Sequence, residues 1–173
     1  AGRTCVAALF STVTNVNFDD GDISAQIDKT HELTKALNGG CAYYDMRKVW
    51  EHPDEDVRSL KSLLLFGMRG IAAYAYHAYQ LRQMDKEVMD FLFEGMRIVG
   101  EEGRAVADLL PVVLEAGRIN HRCMEMLDRA HNEIYGMPEP TSVPMAIEKG
   151  PFIVISGHDL HDLPLLLKQT KGK

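Results

Sequence analysis

Gly150-Pro151-Phe152-Ile153-Val154-Ile155-Ser156-Gly157-His158-Asp159-Leu160-His161-Asp162-Leu163 is the stretch whose reading decides how this chain is organised. Phe152 to Ile155 form a short, unbroken apolar run between Gly-Pro and Ser-Gly. That is the pattern of a strand buried on both faces. Leu163, Leu166 and Leu167 then recur as the inward face of a helix. Pro164 suits its first turn, where the amide would be unpaired anyway. Strand, glycine turn and helix open a βαβ unit, and ligands of open α/β sheets gather at the carboxyl ends of the strands. His158 stands at that point. Too few residues follow Pro164 before Lys173 for a crossover to a second strand. The expectation is therefore the first strand and helix of an incomplete α/β, Rossmann-like domain, within a longer polypeptide.

Everything upstream reads as helix. Val6, Leu9, Phe10 and Val13 place a helical segment over residues 4–13. Asp22 or Ser24 can cap a second helix that carries Ile23, Ile27, Leu33 and Leu37 and stops at Asn38-Gly39-Gly40. The longest helix is expected from Val57 to Arg82, with Leu60, Leu63, Leu64, Gly67, Ile71, Tyr74 and Ala78 on one face. Small residues such as Gly67 and Gly70 would let another helix approach it closely. Asp85 can cap the next helix, which places Val88, Phe91, Leu92 and Met96 inward. Pro111 and Gly117 predict a kink or restart, splitting the remainder into helices over 105–116 and 118–135. Tyr135-Gly136-Met137-Pro138 is a firm stop. The chain thus divides into a helical bundle domain (1–136), a linker (137–150) and the truncated start of an α/β domain (151–173). The fold class is mainly α.

Composition narrows the function classes. At 173 residues and 46% hydrophobic, the chain can bury one ordinary core. A net charge of -6 argues against a nucleic-acid partner, which needs a basic face. No apolar run approaches the length of a membrane span. The N-terminus lacks the pattern of a signal peptide, so a cytoplasmic protein is expected. Cys5, Cys41 and Cys123 form no C-x-x-C pair; they read as small buried apolar residues rather than a disulfide framework or zinc site.

Few side chains suggest chemistry. Read from spacing alone, His158 is first a turn histidine bonded to nearby backbone, and second a metal ligand at a crevice. Asp159 or Asp162 reads as the cap of the following helix. His121 with Glu125, and Asp128 with His131, share helix faces, but a di-iron bundle needs Glu-x-x-His on two helices, and that motif occurs nowhere in the chain. Gly157 lies in no phosphate-binding glycine motif.

Several segments together are similar to one family. Thr14-Asn15-Val16-Asn17-Phe18 resembles a T-N-x-N-F segment of the hybrid cluster proteins, also called prismane proteins or hydroxylamine reductases. Glu55 to Leu60, Gly67 to Ala75 and His77-Ala78 resemble part of the family's helical bundle region. Tyr135-Gly136-Met137-Pro138, Ile155 to Leu160 and Leu166 to Thr170 continue the likeness in the family's order. The resemblance implies a cytoplasmic iron–sulfur oxidoreductase that reduces hydroxylamine to ammonia with an electron donor, with a nitric-oxide-related role also proposed. It implies a cubane-type iron–sulfur cluster and a hybrid iron–sulfur–oxygen cluster in the complete protein. By position His158 matches the family's histidine ligand to the hybrid cluster. The remaining ligands would lie before Ala1 and beyond Lys173, so the 173 residues alone are expected to hold no cluster and to be inactive. The alternative is a non-enzymatic helical interaction module. Under either reading the unpaired strand could support a homo-oligomer.

Overall fold

The computed structural model describes residues 1–13, 17–37, 45–157 and 162–172. It contains seven helices among them: α1 (Gly2–Ser11), α2 (Asp20–Ala36), α3 (Arg47–Trp50), α4 (Glu55–Gln80), α5 (Lys86–Gly100), α6 (Val106–Tyr135) and α7 (Asp162–Thr170). The described residues fall into two compact units, Ala1–Pro138 and Glu139–Lys173.

In the first unit α4 is the axis. Its stripe of Val57, Leu64, Leu65, Met68, Ile71, Ala72, Ala75 and Ala78 is buried, and α1, α3, α5 and α6 all pack against it. Three of the N-termini are set by aspartates. Asp19, Asp54 and Asp85 each accept two backbone amides of the helix that follows, which satisfies donors the helix itself cannot. The cap of α2 is therefore Asp19, ahead of the expected Asp22 or Ser24. The expected face of α4 is displaced as well: Leu64, Ile71 and Ala78 point inward, but Leu63 is 56% and Tyr74 38% exposed.

α5 reaches α4 through a missing side chain. A Cβ on Gly95 would sit 2.3 Å from Sδ of Met68, which is itself fully buried. α6 runs unbroken through Pro111 and Gly117, where two helices were expected. Pro111 is the sixth residue of α6, close enough to its start that the ring interrupts the ladder only near the second turn. Beyond it Ala116, Ile119, Cys123, Met126 and Ala130 keep helical spacing across Gly117 and remain buried. Continuous packing overrides the local cost of one proline and one glycine.

The second unit corrects the strand expectation for this chain. Phe152, Ile153, Val154 and Ile155 are 64%, 62%, 79% and 54% exposed, and no strand is formed among the described residues. The physical reason is that a strand is a pairing, not a local conformation: without a neighbouring ladder the run has nothing to bond. The helix of the expected strand–turn–helix does form, as α7. Pro164 lies in its first turn, Leu163 and Leu166 are half-buried, and Leu167 is exposed.

Two measurements check this packing. Gly95→Ala gains helix propensity yet forces a carbon into the Met68 thioether, so urea denaturation should show a loss of about 1–3 kcal/mol; an unchanged midpoint would sink the close-approach account. Asp85 caps α5 and also accepts from Arg122, with Oδ2 2.7 Å from the guanidinium. The Arg122 hydrogen bond is the largest cause holding its carboxyl below the ordinary 3.8. A depressed acid stabilises the fold fully above its ordinary value and loses that contribution as pH falls through the depressed one. Asp85→Asn is thus expected to cost about 1–2 kcal/mol at neutral pH, and the gap from the parent chain should close as pH falls below 3.8.

Candidate functional site

Gly157 is the last described residue before the sequence-predicted ligand, and its φ of +133° is one that side-chain-bearing residues rarely adopt. Description resumes at Asp162, the first residue of α7. His158, with Asp159 and His161, lies outside the described residues. What the structure does supply is the flanking scaffold: a glycine-specific backbone on one side and a proline-started helix on the other.

The remaining ligand candidates are not brought together. His121 Nδ1 lies 3.6 Å from Glu125, both well exposed. Asp128 accepts from Asn132 instead of meeting His131, and the His131 ring packs beside Tyr135 at 5.9 Å between centroids. His77 sits at the α1–α4 contact, edge-on to Phe10 at 5.4 Å. Among the described residues, no group of three or more His, Cys, Asp or Glu is placed to hold a metal ion.

The cysteines behave as core. Cys123 is fully buried and donates weakly to the carbonyl of Ile71 at 3.6 Å. Burial, reinforced by the Asp85 charge, pushes its thiol up to about 12. Cys5 is half-buried against the same core, and burial raises its thiol too. Burial thus favours the protonated thiol in both. Cys41 lies outside the described residues.

One polar residue escaped the sequence reading. Lys61 is 2% exposed, and its Nζ donates to the carbonyl of Glu101, where α5 ends. It lines a cavity of about 510 Å³ shared with Asp45, Lys48, His52 and Glu102. Burial lowers the ammonium pKa, with Glu102 opposing and Arg104 adding to the shift. A cation on the negative end of a helix dipole is stabilised there. Its hydrogen bond ties the central helix to the end of α5. The signal was available: Lys61 is four residues after Val57 and three before Leu64, on the inward stripe itself.

Set beside known proteins, residues 1–173 match the model of the Prismane/CO dehydrogenase family. The hydroxylamine reductase of Methanocella arvoryzae is 39% identical over 197 residues, a match that covers 97% of this chain and 36% of that protein. The hydroxylamine reductase of Solidesulfovibrio magneticus is 40% identical over 196 residues, covering 99% of the chain and 36% of the relative. That of Thermodesulfovibrio yellowstonii is 40% identical over 195 residues, with 97% and 35% covered. The chain thus spans little more than a third of the length of the curated relatives it matches.

Proposed function

The chain belongs to the Prismane/CO dehydrogenase family, and from that premise we propose that it is part of a longer iron–sulfur oxidoreductase that reduces hydroxylamine to ammonia. The observation that carries the reading is the family match that spans residues 1–173, joined by relatives near 40% identity that are named hydroxylamine reductase. The net reaction breaks the N–O bond with two electrons and two protons and yields ammonia and water. A separate donor supplies the electrons. A nitric-oxide-related role belongs to the same proposal, as does a cytoplasmic location; no described helix is long and apolar enough to cross a membrane.

In this reading residues 1–136 form a bundle domain, 137–150 a linker and 151–173 the opening of an α/β domain. Phe152–Ile155 becomes a strand once partners from the rest of the polypeptide complete its ladder. Such clusters are held mainly by cysteine thiolates. Cys123 and Cys5 lie in or against the apolar core, and no three ligand-type side chains converge among the described residues. By the family resemblance this chain's share of the hybrid cluster is His158, as neutral imidazole, and the cubane-type cluster takes its ligands elsewhere. The 173 residues by themselves bind no cluster and turn over no hydroxylamine. A non-enzymatic interaction module is the second reading, favoured by the exposed Phe152–Ile155 run, which could pair between copies.

The deciding experiment is iron analysis with intact mass on anaerobically purified full-length polypeptide. Several irons per chain are expected, and His158→Ala should lower hybrid-cluster iron and hydroxylamine turnover by at least about 10–100-fold, as loss of even a supporting partner does at metal sites. Unchanged iron and turnover in that variant would remove His158 from the ligand set. A gene that stops after Lys173 would favour the module instead.

A further inference from the structure

Arg82 holds a backbone conformation that usually falls to glycine. Among the described residues it is the only non-glycine with a positive φ, +65°. The Gln83 amide reaches back to the carbonyl of Ala78 at 2.9 Å, which closes the left-handed helix end that glycine most often fills. A side chain is disfavoured there because Cβ crowds the following carbonyl. A second arginine shares its surroundings. Arg3 of α1 and Arg82 line one cavity of about 390 Å³ with Tyr79, Gln80 and Met84, a volume typical of small-molecule sites. Among the described residues no carboxylate lines it. Arg97, Arg104, Arg118 and Arg122 are each held by an acidic side chain. Among the described residues neither Arg3 nor Arg82 forms an ion pair. Arg3 is aligned by Tyr79 instead: its guanidinium lies 5.1 Å from the ring centroid and donates to the hydroxyl at 3.4 Å.

We propose that this cavity binds a phosphate group, carried as inorganic phosphate or as a small phosphomonoester. Acidic residues outnumber basic ones 25 to 19 in the chain, yet two cations share a cavity without an acid, and like charges repel. An anion between them turns that repulsion into attraction. Guanidinium forks match phosphate oxygens in pairs, and a phosphate carries close to the two negative charges that two arginines balance. A carboxylate has one charge and two oxygens, too few for both forks. The Tyr79 hydroxyl accepts from Arg3 and keeps its own proton to donate. The strained backbone at Arg82 points the same way. A cation at the carbonyl end of α4 is favoured by the helix dipole, but a lysine would serve that need, whereas the fork is particular to arginine. The site lies apart from His158 and does not depend on the hydroxylamine reading.

The test is calorimetric titration of the full-length polypeptide with inorganic phosphate, phenyl phosphate and, at equal ionic strength, acetate. Saturable binding of at least one phosphate compound is expected, with acetate weaker by about tenfold or more. Binding of both phosphate compounds means that the free anion suffices; binding of phenyl phosphate alone assigns a phosphomonoester. Arg3→Gln and Arg82→Gly should each weaken phosphate binding by at least about tenfold. Arg82→Gly also relieves the left-handed backbone, so without ligand it should unfold at no lower temperature than the parent, which separates lost binding from a lost fold. Titrations with neither phosphate compound bound would overturn the proposal, as would variants that bind like the parent. Equal affinity for acetate would overturn it too, since the cavity would then take a carboxylate.

Discussion

A buried ammonium in a helical bundle must find an acceptor or loosen the packing around it. At Lys61 the acceptor is the carbonyl of Glu101 at the end of α5. A second, less buried cation of α4, Arg69, donates to the carbonyl of Thr12 at the end of α1. Both cations belong to α4, so the central helix neutralises the carbonyl ends of two neighbours that pack against it. Asp54, Asp85 and Asp19 answer the opposite need at the amide ends. Helix length and position in the first unit therefore follow from terminal electrostatics as much as from the apolar stripe. Without the Lys61 contact, a buried charge and an unpaired carbonyl would be left at one spot, each costing a kilocalorie or more.

Much of this frame is legible in the residues. Asp85 ahead of Val88, Phe91 and Leu92 announces both a cap and a buried face, and α5 has each. The errors have a common cause. Leu63 and Tyr74 share helical spacing with Leu64 and Ile71, and periodicity reports that a face is apolar without saying what covers it. Pro111 and Gly117 were read by local cost, but the stripe that continues past them along α4 outweighs that cost. The charge of Lys61 suggests solvent, but its register puts it with Val57 and Leu64. Position on the stripe was the better guide.

The candidate site is a different case. Spacing alone makes His158 a turn histidine; only the ordered series of segments shared with a family turns it into a ligand candidate. No local rule could do so, because a multi-iron centre gathers ligands from distant parts of a polypeptide and one histidine carries little of that pattern. Phe152–Ile155 shows the same limit for structure. Its composition is that of a strand, but the free energy of a strand lies in its partners' hydrogen bonds, and those are not encoded in the segment.

Two apolar surfaces, one in each unit, then pose a single physical question. A groove between α4 and α6 leaves Gly67, Gly70 and Gly117 with no contact to justify them, and Phe152–Ile155 leaves aromatic and β-branched side chains in water. Buried apolar area stabilises by about 25 cal/mol per Å², so an exposed run of this kind forgoes burial that a ladder and a covering layer would supply.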